Sequence, residues 1–207
     1  MSFQGVVPSG AVGYAPPRRP LVAQSYVRTY LETLRVSLDE IDEADVLAVA
    51  DVLMQAYEGC RRVFVMGNGG SAAAASHFAC DLNLATRERK RLQAVSLNDN
   101  TPLLTALAND FGYGEVFREQ LANLVTAGDV VIVISASGDS ENILKAVRLA
   151  RERGAVTVGI LGFGGGEAGT LVDHQLTISN QDFFVVESVH ATLAHLLAGI
   201  LRQRIHP

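Results

Sequence analysis

RVFVMGNGGSAAAASHFACDL, residues 62–82, joins a strand pattern to a helix pattern through a glycine-rich turn. Apolar residues typical of a buried strand occupy 63–66, and an alanine run that favours a helix begins at Ala72. The glycines of the turn let the backbone bend and approach a ligand closely, and the first helical N–H groups carry the positive end of the helix dipole. The stretch therefore predicts an anion site between strand and helix, with the hydroxyl of Ser71 beside it.

The helix of this stretch also carries a pair of ionisable side chains. His77 and Asp81 are four residues apart, so both project from one face of the helix. We expect an anion cradle and two groups able to exchange protons to lie near each other. A structural alternative stays open, in which His77 is an interior histidine and Asp81 is its hydrogen-bond partner.

Beyond residue 60 the chain alternates strand and helix patterns. Several strand patterns are continuous aliphatic runs, as expected for strands buried on both faces of a parallel sheet. The alternation predicts an α/β fold, a doubly wound five-stranded parallel sheet flanked by helices, and the flavodoxin-like order 2-1-3-4-5, a common order of such sheets, is the arrangement we expect. The predicted strands are 62–66, 92–96, 130–134, 156–161 and 175–178, and the predicted helices are 72–84, 102–108, 116–125, 141–153 and 185–204.

The N-terminal part of the chain predicts two leading helices. Apolar residues recur at helical spacing over 26–41 and again over 46–57. Residues 1–20 are rich in glycine and proline and show no periodicity, which is typical of a flexible arm. We therefore expect an arm at 1–20 and a single domain at 21–207.

A second polar turn follows the third predicted strand. Ser135, Ser137 and Ser140 surround Gly138 just before a helix. Three hydroxyls and the free N–H groups of a helix can satisfy several oxygens of one phosphate without a lysine or arginine. A simple helix cap is the alternative for such a turn. In the predicted strand order the two turns flank the point where ligands bind in open α/β sheets.

A dinucleotide site is the competing interpretation of the first turn. Gly67, Gly69 and Ala72 fit G-x-G-x-x-A, and Asp99 near the end of the second strand could hold a ribose. The asparagine between the two glycines and the serine-rich second turn favour a monophosphate instead.

Composition and charge exclude several classes of function. The formal net charge of -5 argues against a broad basic surface for nucleic acid. The two cysteines match neither a metal-ligand spacing nor a disulfide framework, which fits a reducing cytosol. The N-terminus lacks the pattern of a signal peptide, and no apolar run approaches the ~20 residues needed to span a bilayer. We expect a cytoplasmic protein that contacts neither nucleic acid directly nor a membrane.

Together these motifs resemble the sugar-isomerase (SIS) domain. The chain contains GNGGS, then a helix carrying a histidine, and then a turn of the form S-x-S-G-x-S. More narrowly, residues 21–204 are similar to the phosphoheptose isomerases. The resemblance implies conversion of sedoheptulose 7-phosphate to a heptose 7-phosphate through a cis-enediol. It also implies a homotetramer with active sites at subunit contacts.

The same resemblance assigns roles to individual residues. Asp81 would be the catalytic base and His195 the acid, and in some members a zinc ion, one per subunit, is held by residues matching His77, Asp81, Glu187 and His195. The residues implied to bind substrate or its phosphate are Asn68, Gly69, Gly70, Ser71, Asn100, Ser135, Ser137, Ser140 and Glu187.

Three positions depart from the family pattern. Asp81 replaces a glutamate, Glu187 a glutamine and Asn100 an aspartate. Because proton abstraction needs hydrogen-bond geometry, the shorter Asp81 side chain keeps an alternative open. In that alternative the chain is a non-catalytic SIS-domain module that binds a sugar phosphate or a replication initiator protein. His190 is expected to be structural or to lie at a subunit contact.

Overall fold

The structure, a computed structural model, describes residues 23–88 and 90–206, so the arm predicted at 1–20 lies outside the described residues. Within them, five parallel strands form one sheet in the order β2-β1-β3-β4-β5. The predicted fold class and strand order are confirmed. The strands are β1 (Arg62–Gly67), β2 (Gln93–Ser96), β3 (Val130–Ser135), β4 (Val156–Leu161) and β5 (His174–Thr177).

Helices cover both faces of the sheet, and the two predicted leading helices are present. Asp42 caps the second of them, because its side chain accepts a hydrogen bond from the Ala44 N–H at 2.7 Å. The helices are α1 (Ala23–Asp39), α2 (Glu43–Glu58), α3 (Gly70–Ala85), α4 (Thr101–Phe111), α5 (Val116–Leu124), α6 (Glu141–Glu152), α7 (Gly166–Leu171) and α8 (Phe183–Ile205), with a 3₁₀ turn at Tyr113–Glu115.

Each strand contributes side chains to two apolar layers. On β1, Val63 and Val65 pack on the side of α2, α3 and α8, whereas Phe64 and Met66 pack on the side of α5, α6 and α7. This alternation follows from the two-residue period of a strand. Because both layers are apolar, the polar turns at the carboxyl ends of the strands are where a ligand can meet the sheet.

The opposite end of the sheet is closed by a buried carboxylate. Asp129 is 2% exposed and accepts hydrogen bonds from the backbone and the guanidinium of Arg62 at 3.0 Å each, and from the N–H and hydroxyl of Thr126. Burial alone would raise the pKa of Asp129, but these hydrogen bonds outweigh it and hold the pKa below its usual value. The network fixes the start of β1 beside β3.

The segment after β4 differs from the expectation. None of the predicted helices covers this segment, but a short helix, α7, begins at Gly166. Gly164 and Gly165 adopt φ of +82° and +98°, a region that favours glycine, and they turn the chain back onto the second serine turn. α7 is held by its contacts with that turn and not by a long apolar face of its own. For this reason no apolar periodicity in the sequence predicts it.

Helix α8 is long and apolar enough to cross a membrane by length and composition alone. Half of the most apolar stretch of this helix is buried inside the molecule. Its residues Val189, Leu193 and Leu197 belong to the apolar layer that α8 shares with α2 and α3. The expectation concerned uninterrupted apolar runs, and Glu187, His190 and His195 interrupt the apolar sequence of this helix. Burial of this kind is typical of the core helix of a globular domain.

Candidate active site

The first turn is held open for a ligand by its backbone. Gly69 has φ +57° and ψ −123°, and α3 begins directly after it at Gly70. Asn98 clamps the preceding Gly67 from both sides: its Oδ1 accepts the Gly67 N–H at 3.2 Å, and its Nδ2 donates to the Gly67 carbonyl at 2.9 Å. The N–H groups of Ser71 and Ala72 donate to the carbonyls of Asn68 and Gly69 at 3.0 and 3.1 Å, so the N–H groups that can face a ligand in this turn are those of the exposed Gly69 and Gly70.

The second turn presents its serines to the same end of the sheet. The buried Ser135 Oγ accepts the Gly138 N–H at 3.0 Å, and Ser137 Oγ accepts the Asp139 N–H at 3.3 Å. Ser140 is the residue before α6, yet its side chain makes no capping hydrogen bond. The hydroxyl of Ser140 therefore does not serve as a simple helix cap.

The segment that leads into α7 supports this second turn from behind. A side chain at Gly138 would collide with the carbonyl of Gly165, so the two backbones are in direct contact. The Ala168 N–H donates to the Gly138 carbonyl at 2.9 Å, and the Glu167 N–H donates to Asp139 Oδ1 at 2.8 Å. These contacts give a serine-rich loop a defined shape.

A pair of asparagines joins the two turns. Asn68 follows β1, Asn142 lies in the first turn of α6, and their amides exchange two hydrogen bonds of 2.9 Å. The hydroxyl of Tyr113 donates to Asn68 Oδ1, also at 2.9 Å. No sequence motif marks Tyr113 or Asn142, although the position of Asn142 two residues after Ser140 is a local signal.

The ionisable groups lie farther along α3 and on α8. His77, Asp81 and His195 come together although 118 residues separate the two histidines. His77 Nε2 lies 3.1 Å from His195 Nε2, and Asp81 Oδ2 lies 3.3 Å from the first nitrogen and 3.5 Å from the second. The histidine side chains are 61% and 60% exposed, which does not fit the interior histidine considered as the structural alternative for His77.

The remaining predicted site residues lie elsewhere. The Glu187 carboxylate packs against the Cα of Gly70, at the start of α3, and is not part of the group of three donors. Asn100 caps α4, because its Oδ1 accepts the Leu103 N–H at 3.1 Å. Asp99 accepts a hydrogen bond from the Ser76 hydroxyl, so its carboxylate is turned towards α3.

This arrangement is suited to proton transfer beside a bound anion. The hydroxyls of the two turns, with N–H groups such as that of Gly70, can bind a phosphate, and a carboxylate beside two imidazoles can accept and return a proton. The cluster of two imidazoles and a carboxylate also suits a divalent metal ion. Such a site is typical of enzymes that act on phosphorylated substrates with an acidic C–H bond.

The strand order and the two serine-bearing turns define a SIS-domain protein, and the family model described as "SIS domain" matches residues 25–162. A phosphoheptose isomerase of Geobacter sulfurreducens is 41% identical over 78% of this chain and 86% of its own length. That of Geotalea uraniireducens is 42% identical over 77% of this chain and 85% of its own. The structure of the phosphoheptose isomerase from Neisseria gonorrhoeae superposes with a TM-score of 0.82 at 29% identity, covering 88% of this chain and 100% of that one.

The chain therefore belongs to the SIS-domain family and, within it, to the phosphoheptose isomerases, a family of sugar-phosphate isomerases. This membership replaces the dinucleotide interpretation of the first turn. The roles of individual site residues stay predictions, and they are taken up below.

Proposed function

We propose that the protein interconverts sedoheptulose 7-phosphate and D-glycero-D-manno-heptose 7-phosphate. The observation that carries this proposal is that Asp81, on the helix that starts at the phosphate cradle, lies within 3.5 Å of both His77 and His195. Gly70 and His77 are about two helical turns apart, which is roughly 10 Å along the axis. A substrate whose phosphate is held at the start of α3 would thus extend its other end towards Asp81.

In the proposed mechanism a proton moves between adjacent carbons of the opened sugar through a cis-enediol. Asp81 removes the proton from the carbon next to the carbonyl, and His195 protonates the carbonyl oxygen. The enediol then collapses: Asp81 returns its proton to the former carbonyl carbon, and the hydroxyl on the other carbon gives its proton to His195 and becomes the new carbonyl. The imidazole of His77 lies 3.3 Å from Asp81 and orients this carboxylate.

A zinc ion fits the three side chains. Ligands at 2.0–2.2 Å around a tetrahedral zinc are separated by about 3.3–3.6 Å. The separations of 3.1, 3.3 and 3.5 Å among His77, His195 and Asp81 are close to these values. When bound, the ion would polarise the substrate carbonyl as a Lewis acid. As a fourth ligand, Glu187 would have to leave its position against Gly70.

A homotetramer with active sites at subunit contacts is part of the proposal, as is a cytoplasmic location. In one chain His77 and His195 are mostly exposed, although the chemistry requires a site shielded from water. A neighbouring subunit could supply this cover. Several apolar side chains are also left exposed on α1, among them Val27 and Leu31.

Incubation with sedoheptulose 7-phosphate and NMR of the products tests the proposal. We expect turnover by the wild type and a loss of 10²–10⁴-fold in Asp81→Asn, because the amide cannot accept the proton. Equal turnover by both proteins would remove Asp81 as the base. If the wild type binds the sugar phosphate without turning it over, the non-catalytic binding module becomes the better description.

A further inference from the structure

Three side chains from three different segments meet at the mouth of the phosphate cradle. Asn68 belongs to the first turn, Asn142 to the start of α6, and Tyr113 to the 3₁₀ turn between α4 and α5. Tyr113 is 52% exposed, so burial does not explain why its hydroxyl reaches 45 residues back along the chain to Asn68. Asn142, in contrast, is 2% exposed.

The hydrogen bonds fix which way each amide points. The backbone N–H of Ile143 can only donate, and it is shared between the Ser140 carbonyl and Asn142 Oδ1, at 3.0 Å each. The amide nitrogen of Asn142 must therefore face Asn68, where it donates to Oδ1. Because that oxygen accepts from Asn142, the hydroxyl of Tyr113 is also placed as a donor to it.

Counting donors and acceptors shows what remains for a ligand. Asn68 Oδ1 accepts two hydrogen bonds, from Tyr113 and Asn142, and has no lone pair left. Asn68 Nδ2 uses one of its two hydrogens on Asn142 and keeps the other. The side chain of Asn68 therefore offers a ligand a donor and no acceptor, which suits a phosphate whose oxygens only accept hydrogen bonds.

We propose that Tyr113 and Asn142 are positioning residues of the phosphate cradle. They occupy the carbonyl oxygen of Asn68, which would otherwise be free to face the anion, and they hold the two serine-bearing turns at a fixed separation. Tyr113 thus couples the α4–α5 connection to phosphate affinity without touching the reacting carbons. This inference rests on the proposed function only for the identity of the phosphorylated substrate.

Tyr113→Phe tests the inference most directly, because it removes one hydroxyl from an exposed ring. Calorimetric titration with inorganic phosphate should give a Kd about three- to tenfold higher than that of the wild type, the loss expected for one neutral hydrogen bond. KM for sedoheptulose 7-phosphate should rise by the same factor while kcat changes less than twofold. The melting temperature without phosphate should stay that of the wild type.

Tyr57→Phe is the matched control. Tyr57 lies at the end of α2, next to the start of β1 and thus at the opposite end of the sheet from the two turns, and its hydroxyl makes no hydrogen bond to the residues that the structure describes. The phosphate Kd and the KM of this variant should equal those of the wild type.

Asn142→Asp is the second test, since it places an acceptor against Asn68 Oδ1 and a negative charge beside the anion. It should weaken phosphate binding more than Tyr113→Phe does.

The possible outcomes separate this inference from the proposed function. Phosphate binding that depends on Tyr113, in a wild type that does not turn over the heptose, would support the positioning role and remove the proposed substrate. Turnover with an unchanged KM and an unchanged phosphate Kd in Tyr113→Phe would overturn the positioning role alone. A wild type that binds no phosphate would also overturn it, because the cradle would then hold no anion.

Discussion

His190 shows how a single side chain can be shaped by the fold rather than by the chemistry. It is fully buried in α8, and neither ring nitrogen has a hydrogen-bond partner among the described residues. Burial lowers the pKa of His190 from 6.5 to about 4, and a weak interaction with the backbone of Leu161 opposes this shift only in part. The ring is therefore neutral at physiological pH, as expected for the structural histidine predicted at this position.

The depressed pKa of His190 predicts a pH-dependent loss of stability. Below pH 6.5 the unfolded chain binds a proton at His190, whereas the folded chain does not bind one until about pH 4. The free energy of unfolding is therefore unaffected by this histidine above pH 6.5 and falls as the pH decreases from 6.5 towards 4. Relative to the wild type, His190→Leu should gain about 2 kcal/mol in the free energy of unfolding between pH 7.5 and pH 5. Urea titrations at the two pH values measure this, and a difference that is constant with pH would contradict it.

Among the structural elements, the second serine turn depends most on a neighbour that is remote in sequence. Gly138, at φ +71°, has no room for a side chain because the Gly165 carbonyl covers it. Gly164, at φ +82°, faces open space. The two glycines thus share a conformation that disfavours other residues, and they differ only in their surroundings.

That difference yields a matched pair of variants. Gly164→Ala should lose only about 1 kcal/mol of stability, from the positive φ. Gly138→Ala should cost at least 1–3 kcal/mol more and should raise KM for the sugar phosphate, because the turn must move away from Gly165. Thermal unfolding and initial rates check both effects. Equal stabilities and equal KM values for the two variants would show that the contact between the turn and α7 is unimportant.

Some structural elements can be predicted from sequence patterns, and others cannot. Aliphatic runs such as 130–134 predict the strands, and the fixed spacing of His77 and Asp81 predicts their common face on α3. By contrast, α7 and the contact between Tyr113 and Asn68 depend on tertiary packing across many residues, and no local periodicity encodes them. The carboxylate of Glu187 points to Gly70 instead of the donor cluster, a choice of rotamer that spacing along α8 cannot reveal.

At the scale of the whole molecule, the exposed histidines and the apolar patch on α1 predict assembly. Val27 and Leu31 are 56% and 59% exposed and lie one helical turn apart on α1. We expect light scattering on the purified protein to give about four times the mass of one chain. Leu31→Glu should lower that mass if α1 lies in the interface, whereas Glu32→Gln, on a neighbouring exposed position, should leave it unchanged. A monomeric wild type with full activity would contradict the proposal that a neighbouring subunit completes the site.

Proton transfer by the carboxylate beside His77 and His195 is the central claim, and isotope exchange tests it most directly. In D₂O with sedoheptulose 7-phosphate, the wild type should place deuterium on the carbon next to the carbonyl of the heptose product, because the proton removed by Asp81 exchanges with solvent before it returns. Asp81→Asn, with an unchanged melting temperature, should form labelled product at least about 10²-fold more slowly. Conversion by the wild type without deuterium in the product, or labelling by Asp81→Asn at the wild-type rate, would contradict the claim.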